Sequence, residues 1–144
     1  DRLCEQKYWF THKFSPEVVE STIEVIHYFR KLNSNKSLHL IGFSGGGGLA
    51  ALVAAKIEGV ASLTTIAGDL DLDLMQAYHH TTPLSGSLNP MEVATLIKHI
   101  PQRHLIGEKD KVVPLSVSKA FVSRQNSACS KVVRFPHMGH HEGG

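Results

Sequence analysis

The sequence LHLIGFSGGGGLAALVAA spans residues 38–55 and joins an apolar run, a serine among glycines and an alanine-rich segment. A flexible linker does not fit, because apolar residues lie on both sides of the glycines. A phosphate-binding loop has the same order of strand, glycines and helix. However, Leu49 and Ala50 stand where a Walker-type loop requires Lys and Ser/Thr. The dinucleotide pattern G-x-G-x-x-G fits only loosely, and Glu58 and Asp69 are poorly placed to bind a ribose.

Residues 42–46 match G-x-S-x-G, the pattern of a sharp strand-to-helix turn that exposes a nucleophilic serine. At such a turn the helix doubles back against the strand, so we expect side chains two positions either side of Ser44 to collide. The turn also points the first helical N–H groups and the positive end of the helix dipole toward the serine. The pattern therefore predicts a nucleophile, and the alternative is an ordinary turn serine.

The composition is that of one soluble domain, with 144 residues, 42% hydrophobic and 19% charged. The net charge is +2 and Lys and Arg are scattered, which argues against a nucleic-acid partner. No apolar run approaches the roughly 18–20 residues of a membrane span. The chain starts at Asp1 and stops abruptly at Gly144, so we interpret it as part of a longer protein. Cys4 and Cys129 are compatible with a disulfide or with free thiols.

Helical and strand patterns alternate along the chain. Ser15 and Pro16 predict a helix start with a capping hydroxyl. The predicted order is a helix over 16–32, a strand over 37–43, a helix over 45–57, a strand over 60–67, an irregular segment over 69–90, a short helix over 90–99, a strand over 103–107, a helix over 114–125 and a strand over 131–135. The first strand is apolar on both faces, which is typical of a parallel strand between helices. These features predict an α/β fold, a parallel sheet flanked by helices.

Candidate catalytic side chains follow the first, third and fourth predicted strands. In chain order they are Ser44, then Glu108 and Asp110, then His137, His140 and His141. Ligands bind at the carboxyl ends of the strands in such sheets. A serine, an acid and a histidine are therefore expected along one edge.

Three segments carry a resemblance to the C-terminal half of the α/β-hydrolase fold: GFSGGG (42–47), HLIGEKDKVVP (104–114) and FPHMGHH (135–141). Asp110 follows Ser44 by 66 residues (110 − 44) and His140 follows Asp110 by 30 (140 − 110), and both separations suit that family. The segments AGDLDLD (67–73) and PLSGSLNP (83–90) further resemble a group of bacterial envelope-associated hydrolases of ill-defined substrate. This narrower resemblance implies a cell-envelope or periplasmic location.

Carried over to this chain, the resemblance implies that Ser44 is the nucleophile, His140 the general base and Asp110 the acid that orients the imidazole. The Gly45 backbone N–H would be one oxyanion donor. Glu108 competes with Asp110 but lies closer to the strand. His140 has two rivals, His137 and His141, and is favoured because the preceding glycine lets the loop turn its ring inward.

Phe43, Met75 and His79 are expected to line the substrate pocket, although core packing is an equal alternative for Met75. A metal site is the rival interpretation of the cluster His137, His140, His141 and Glu142. No helical pattern such as H-E-x-x-H places these side chains on one face, so we expect no metal and no cofactor.

These features predict a serine hydrolase that cleaves a small ester or related acyl substrate through an acyl-enzyme. The alternative is a non-catalytic α/β binding module, or an inactive fragment, that keeps the turn. The resemblance implies a single partial domain over 1–144, without the N-terminal strands that supply a second oxyanion donor and without the last helix. We therefore expect an apolar sheet edge at 38–43, self-association and very slow turnover.

Overall fold

The computed structural model describes residues 5–142, in which four parallel strands form one sheet in the order β1-β2-β3-β4. The strands are β1 (Leu38–Phe43), β2 (Val60–Ile66), β3 (Gln102–Gly107) and β4 (Ser130–Phe135). The α-helices are α1 (Pro16–Leu32), α2 (Gly45–Ala54), α3 (Leu72–His79) and α4 (Leu115–Gln125). Two 3₁₀ turns lie at Gln6–Trp9 and Pro90–Val93. The predicted α/β class with a parallel sheet is confirmed.

The core lies between one face of the sheet and the helices packed on it. Helix α2 contacts β1 and β2, whereas α4 contacts β3 and β4. The largest fully buried side chains include Phe14, Leu63, Leu70, Ile97, Ile106 and Phe121. This packing holds the carboxyl ends of the four strands along a common edge.

Within residues 5–142, helix covers one face of strand β1 and not the other, which corrects the expectation that both its faces are buried. Leu40 is 8% exposed, but its neighbour Ile41 is 71% exposed and Phe43 is 45% exposed. Side chains alternate across a strand, and α2 lies on the face that carries Leu40. In the described sheet β1 is also an edge strand, as expected, because only β2 pairs with it.

The segment predicted to be irregular contains helix α3. Asp71 caps it, since its carboxylate accepts a hydrogen bond from the Leu74 N–H at 3.1 Å. His80 closes the helix in the left-handed conformation. The closely spaced Asp69, Asp71 and Asp73 led to the expectation of an irregular segment, but Asp71 is the N-cap of a helix. The capping role expected for Ser15 is wrong: it stands at the N-cap of α1, but its hydroxyl makes no capping bond.

A histidine is buried beneath α4. His104 on β3 has no exposed surface, and its Nδ1 lies 2.9 Å from the Thr65 hydroxyl on β2. Its Nε2 is buried and has no hydrogen-bond partner in the described residues. Burial lowers the pKa of His104 from its usual 6.5 to about 4.

We expect His104 to make the protein acid-sensitive. The unfolded chain binds the proton near pH 6.5 and the native state only near pH 4, so the free energy of unfolding falls as pH drops through this window. The full loss is about 3 kcal/mol. Urea unfolding at several pH values between 7 and 4 measures it. His104→Gln should remove this part of the pH dependence, and an unchanged slope in that variant would contradict the assignment.

Candidate active site

Ser44 occupies the tight turn between β1 and α2. Its backbone has φ 52° and ψ −123°, a conformation that residues other than glycine rarely adopt. Three backbone hydrogen bonds hold it there. The Ser44 N–H donates to the Ile66 carbonyl at 2.8 Å, and the Ser44 carbonyl accepts from Gly47 at 2.9 Å and from Asp69 at 3.1 Å. Sparsely populated backbone conformations persist where the surroundings over-determine them, and they cluster at functional sites.

The glycines around Ser44 are not equally constrained. A Cβ on Gly42 would overlap the Gly46 carbonyl and lie 2.6 Å from the Gly47 nitrogen, as the turn pattern predicts. A Cβ on Gly46 would meet nothing within 4 Å, so the predicted collision at that position is wrong. Gly47 and Gly48 are constrained instead, because a Cβ there would come within 2.5–2.8 Å of the backbone of the loop after β2. Helix α2 therefore packs closely on two strand ends.

The structure brings Ser44, His140 and Asp110 into one chain of hydrogen bonds. His140 Nδ1 lies 2.8 Å from Asp110 Oδ2, and its Nε2 lies 3.1 Å from Ser44 Oγ. A carboxylate can only accept, so Nδ1 carries the proton and Nε2 is left to accept from the serine hydroxyl. The side chains of His140 and Asp110 are 5% and 0% exposed. This tautomer and this burial suit a histidine that removes a proton from serine.

Asp110 is held by the backbone that follows it. Its Oδ1 accepts hydrogen bonds from the N–H groups of Val112 and Val113, both at 2.8 Å, which leaves Oδ2 for the histidine. Glu108, the competing acid, pairs instead with Arg134 at 3.4 Å on the surface. Asp110 and Glu108 are two residues apart in the sequence, but only Asp110 is hydrogen-bonded to His140.

The same geometry separates the three histidines. His137 is exposed and takes no part in the hydrogen-bonded chain. His141 is exposed and packs edge-on against the His140 ring, with centroids 4.6 Å apart. Gly107 at the end of β3 helps to place the loop, because the Met138 carbonyl occupies the space of its missing Cβ. Sequence reasoning missed this role, although a glycine ending a buried strand is a signal for such close packing.

Gly45 begins α2, and the N–H groups of a first helical turn have no acceptor within the helix. The Gly47 N–H donates to the Ser44 carbonyl, whereas the Gly45 N–H has no hydrogen-bond partner in the described residues and can donate to a negative atom beside Ser44. Two side chains border this position: the Phe14 ring and the Asp69 carboxylate lie 3.8 and 3.9 Å from where a Gly45 Cβ would stand.

A cavity of about 440 Å³ borders His140 at the carboxyl edge of the sheet. Its lining is mostly apolar and includes Phe43, Ile66, Leu105, Phe135 and Met138. Phe43, one of the three residues expected at the substrate pocket, lines this cavity, whereas Ser44, Met75 and His79 do not. Met75 packs against the core, and His79 Nε2 lies 2.6 Å from the Val112 carbonyl. Both belong to α3.

Between residues 5 and 142, no three His, Cys, Asp or Glu side chains are grouped as potential metal ligands. Within the same range no helix has the length and hydropathy to span a bilayer. Cys129 is exposed and forms no disulfide there, whereas Cys4 lies outside the described residues.

The unequal constraint on the glycines is testable by a matched pair of substitutions. Gly42→Ala should destabilise the protein and disturb Ser44, because the new methyl group overlaps backbone that has no room to move. Gly46→Ala should be tolerated and slightly stabilising, since alanine is favoured over glycine in a helix. Thermal unfolding of both variants measures this, and equal melting temperatures would contradict the packing described above.

Comparison with known proteins shows what this arrangement is similar to. A sequence profile of the FSH1 serine hydrolase family matches residues 4–142. An α/β serine hydrolase homologue from Coxiella burnetii superimposes with a TM-score of 0.63 and 26% identity, over 85% of this chain and 50% of that one. The structure of a puromycin hydrolase S511A mutant complexed with PGG superimposes with a TM-score of 0.70 and 20% sequence identity. The match covers 86% of this chain and 22% of the puromycin hydrolase chain. A Pyrococcus furiosus esterase superimposes with a TM-score of 0.68 and 15% sequence identity, over 89% of this chain and 55% of the esterase chain.

No curated protein matches the chain significantly. The chain spans between about a fifth and just over half of the length of the three structures. Because the puromycin hydrolase and the esterase are only 15–20% identical to this chain, their similarity shows the fold and nothing more. The family profile covers nearly the whole chain. This chain belongs to the FSH1 serine hydrolase family and has the α/β-hydrolase fold.

Proposed function

We propose that the chain acts as a serine hydrolase on an ester or related acyl substrate, with Ser44 as nucleophile, His140 as general base and Asp110 as the orienting acid. The observation that carries the proposal is the unbroken series of hydrogen bonds, 3.1 Å from serine to imidazole and 2.8 Å from imidazole to carboxylate. The strained backbone of Ser44 and the Gly45 N–H at the start of α2 support it.

The geometry translates into a two-step acyl transfer. Ser44 Oγ attacks the substrate carbonyl while His140 Nε2 accepts the hydroxyl proton. The carbonyl oxygen becomes an oxyanion, which the Gly45 N–H stabilises at the positive end of α2. His140 then returns the proton to the leaving group, and the acyl group stays on Ser44. Water, activated by the same imidazole, releases the acid and restores the serine.

Several proteins that share the fold are named for reactions at an acyl carbonyl, and these names describe those proteins. They include a Pyrococcus furiosus esterase and a Paleococcus ferrophilus monoacylglycerol lipase. A puromycin hydrolase and an acylaminoacyl peptidase also share the fold. Ester and amide cleavage both pass through a tetrahedral oxyanion, so the same three side chains serve either bond.

A fluorophosphonate probe tests the proposal directly. We expect it to phosphonylate Ser44, because the hydroxyl is activated by His140 and the attacked phosphorus also develops an oxyanion. Intact-mass spectrometry and peptide mapping measure the site of labelling, and Ser44→Ala serves as the control. A folded chain that stays unlabelled would refute the hydrolase proposal and support a non-catalytic binding module.

Substitutions separate the assigned residues from their neighbours. Asp110→Asn should lower turnover of a nitrophenyl ester by about 10⁴-fold, as loss of the orienting acid does in serine triads. Glu108→Gln is the matched control and should have little effect. His140→Ala should abolish labelling, whereas His137→Ala and His141→Ala should be tolerated. The reverse result in either set would show that the wrong acid or histidine has been assigned.

We also propose that the chain self-associates through β1. The exposed Ile41 and Phe43 and the unpaired edge of β1 support this, because an apolar edge strand pairs readily with another chain. Sedimentation velocity should show dimers or larger species. Ile41→Lys should shift the distribution toward monomer, and Leu96→Lys, which changes another exposed side chain, should not. A wild-type chain that is monomeric at all concentrations would refute the proposal.

A further inference from the structure

A largely buried ion pair lies beside the first turn of α2. Lys13 Nζ is 2.7 Å from Asp69 Oδ2, and the two side chains are 32% and 5% exposed. The other oxygen of the carboxylate, Oδ1, is buried without a hydrogen-bond partner in the described residues. Lys13 is therefore the cation that compensates a carboxylate which water hardly reaches.

The carboxylate is close to the proposed oxyanion donor. Asp69 Oδ2 lies 3.9 Å from where a Gly45 Cβ would stand, and the Asp69 N–H donates to the Ser44 carbonyl at 3.1 Å. A Cβ is about 2.5 Å from its own nitrogen, so Oδ2 is at most about 6.5 Å from the Gly45 amide. Asp69 thus sits directly behind the turn that carries the nucleophile.

A negative charge at this position has opposite effects on the fold and on the chemistry. It is favourable to α2, because a carboxylate near a helix N-terminus interacts well with the dipole. It is unfavourable to an oxyanion on Ser44, because two like charges in a poorly hydrated site repel over this distance. A neutralising partner is needed if both are to coexist.

Lys13 is held in place by a well-ordered segment. The Phe14 N–H donates to the Ser87 hydroxyl at 3.1 Å, and the Phe14 carbonyl accepts from Leu88 at 2.9 Å. The Lys13 ammonium also lies 5.0 Å from the centroid of the Phe14 ring. These contacts fix the backbone next to Lys13 and leave its ammonium beside both the Phe14 ring and the Asp69 carboxylate.

We propose that Lys13 is a positioning residue of the active site, which acts through Asp69 by cancelling its charge where the oxyanion forms. The inference rests on the proposed function. It adds a residue 31 positions before the nucleophile (44 − 13) and outside every motif of the sequence. Lys13 does not touch the reacting atoms, so its effect should appear in kcat rather than in KM.

The test combines single and double variants with ester turnover and the rate of fluorophosphonate labelling. Lys13→Met leaves a buried negative charge and should lower both rates by about 10- to 50-fold, with little change in KM. Lys13→Met combined with Asp69→Asn carries no charge and should recover to within about 3-fold of wild type. Lys13→Arg should retain activity. Lys56→Met breaks the exposed ion pair with Glu20 near the other end of α2 and should have no effect.

A purely structural role gives a different pattern. If the pair only ties two segments together, then Lys13→Met, Asp69→Asn and the double variant should all lose activity alike, and that result would overturn the inference. If Lys13→Met does not fold, as judged by thermal unfolding, Asp69→Asn decides, because the remaining ammonium should raise the labelling rate and a fall would overturn the inference. A wild-type chain that fails to react at Ser44 would refute the proposed function itself.

Discussion

The close approach of α2 to the end of β1 is the constraint on which the site depends. Gly42 has no space for a side chain because the backbone of α2 begins directly above it. The chain can turn this sharply only if Ser44 accepts a positive φ, and three backbone hydrogen bonds keep it there. The same turn places the first N–H groups of α2 next to the serine. The strained backbone of Ser44 and its position at the start of a helix thus have one geometric origin.

The sheet supplies the remaining groups by placing strand ends side by side. Strands β1, β3 and β4 deliver a serine, an acid and a histidine to one edge, although Ser44 and His140 are 96 residues apart in the chain. Each loop is then locked by its own backbone contacts: two N–H groups hold Asp110, and the end of β3 receives the Met138 carbonyl. Such contacts hold the three side chains within hydrogen-bonding distance of one another.

Buried charge and buried histidine are treated differently in this chain. The carboxylates of Asp69 and Asp110 are both buried. Lys13 compensates the charge of Asp69, and hydrogen-bond donors compensate that of Asp110. The His104 ring is hydrogen-bonded to the Thr65 hydroxyl and to no charged group in the described residues. Burial therefore favours its neutral form, which lowers the stability of the fold in acid. A charge removed from water must be paired or must disappear by a shift in pKa. The first arrangement is found next to the proposed catalytic groups, and the second in the core.

By itself the sequence determined the parallel α/β class, the turn at Ser44 and the order of serine, acid and histidine, because apolar periodicity and turn chemistry act over a few neighbouring residues. It could not decide which of Asp110 and Glu108, or which of three histidines, would join the hydrogen-bonded chain that begins at Ser44. It also gave no sign that Lys13 meets Asp69, 56 residues away. Only the tertiary structure decided these points, because they depend on how separate loops and helices pack around the sheet, which no local pattern records.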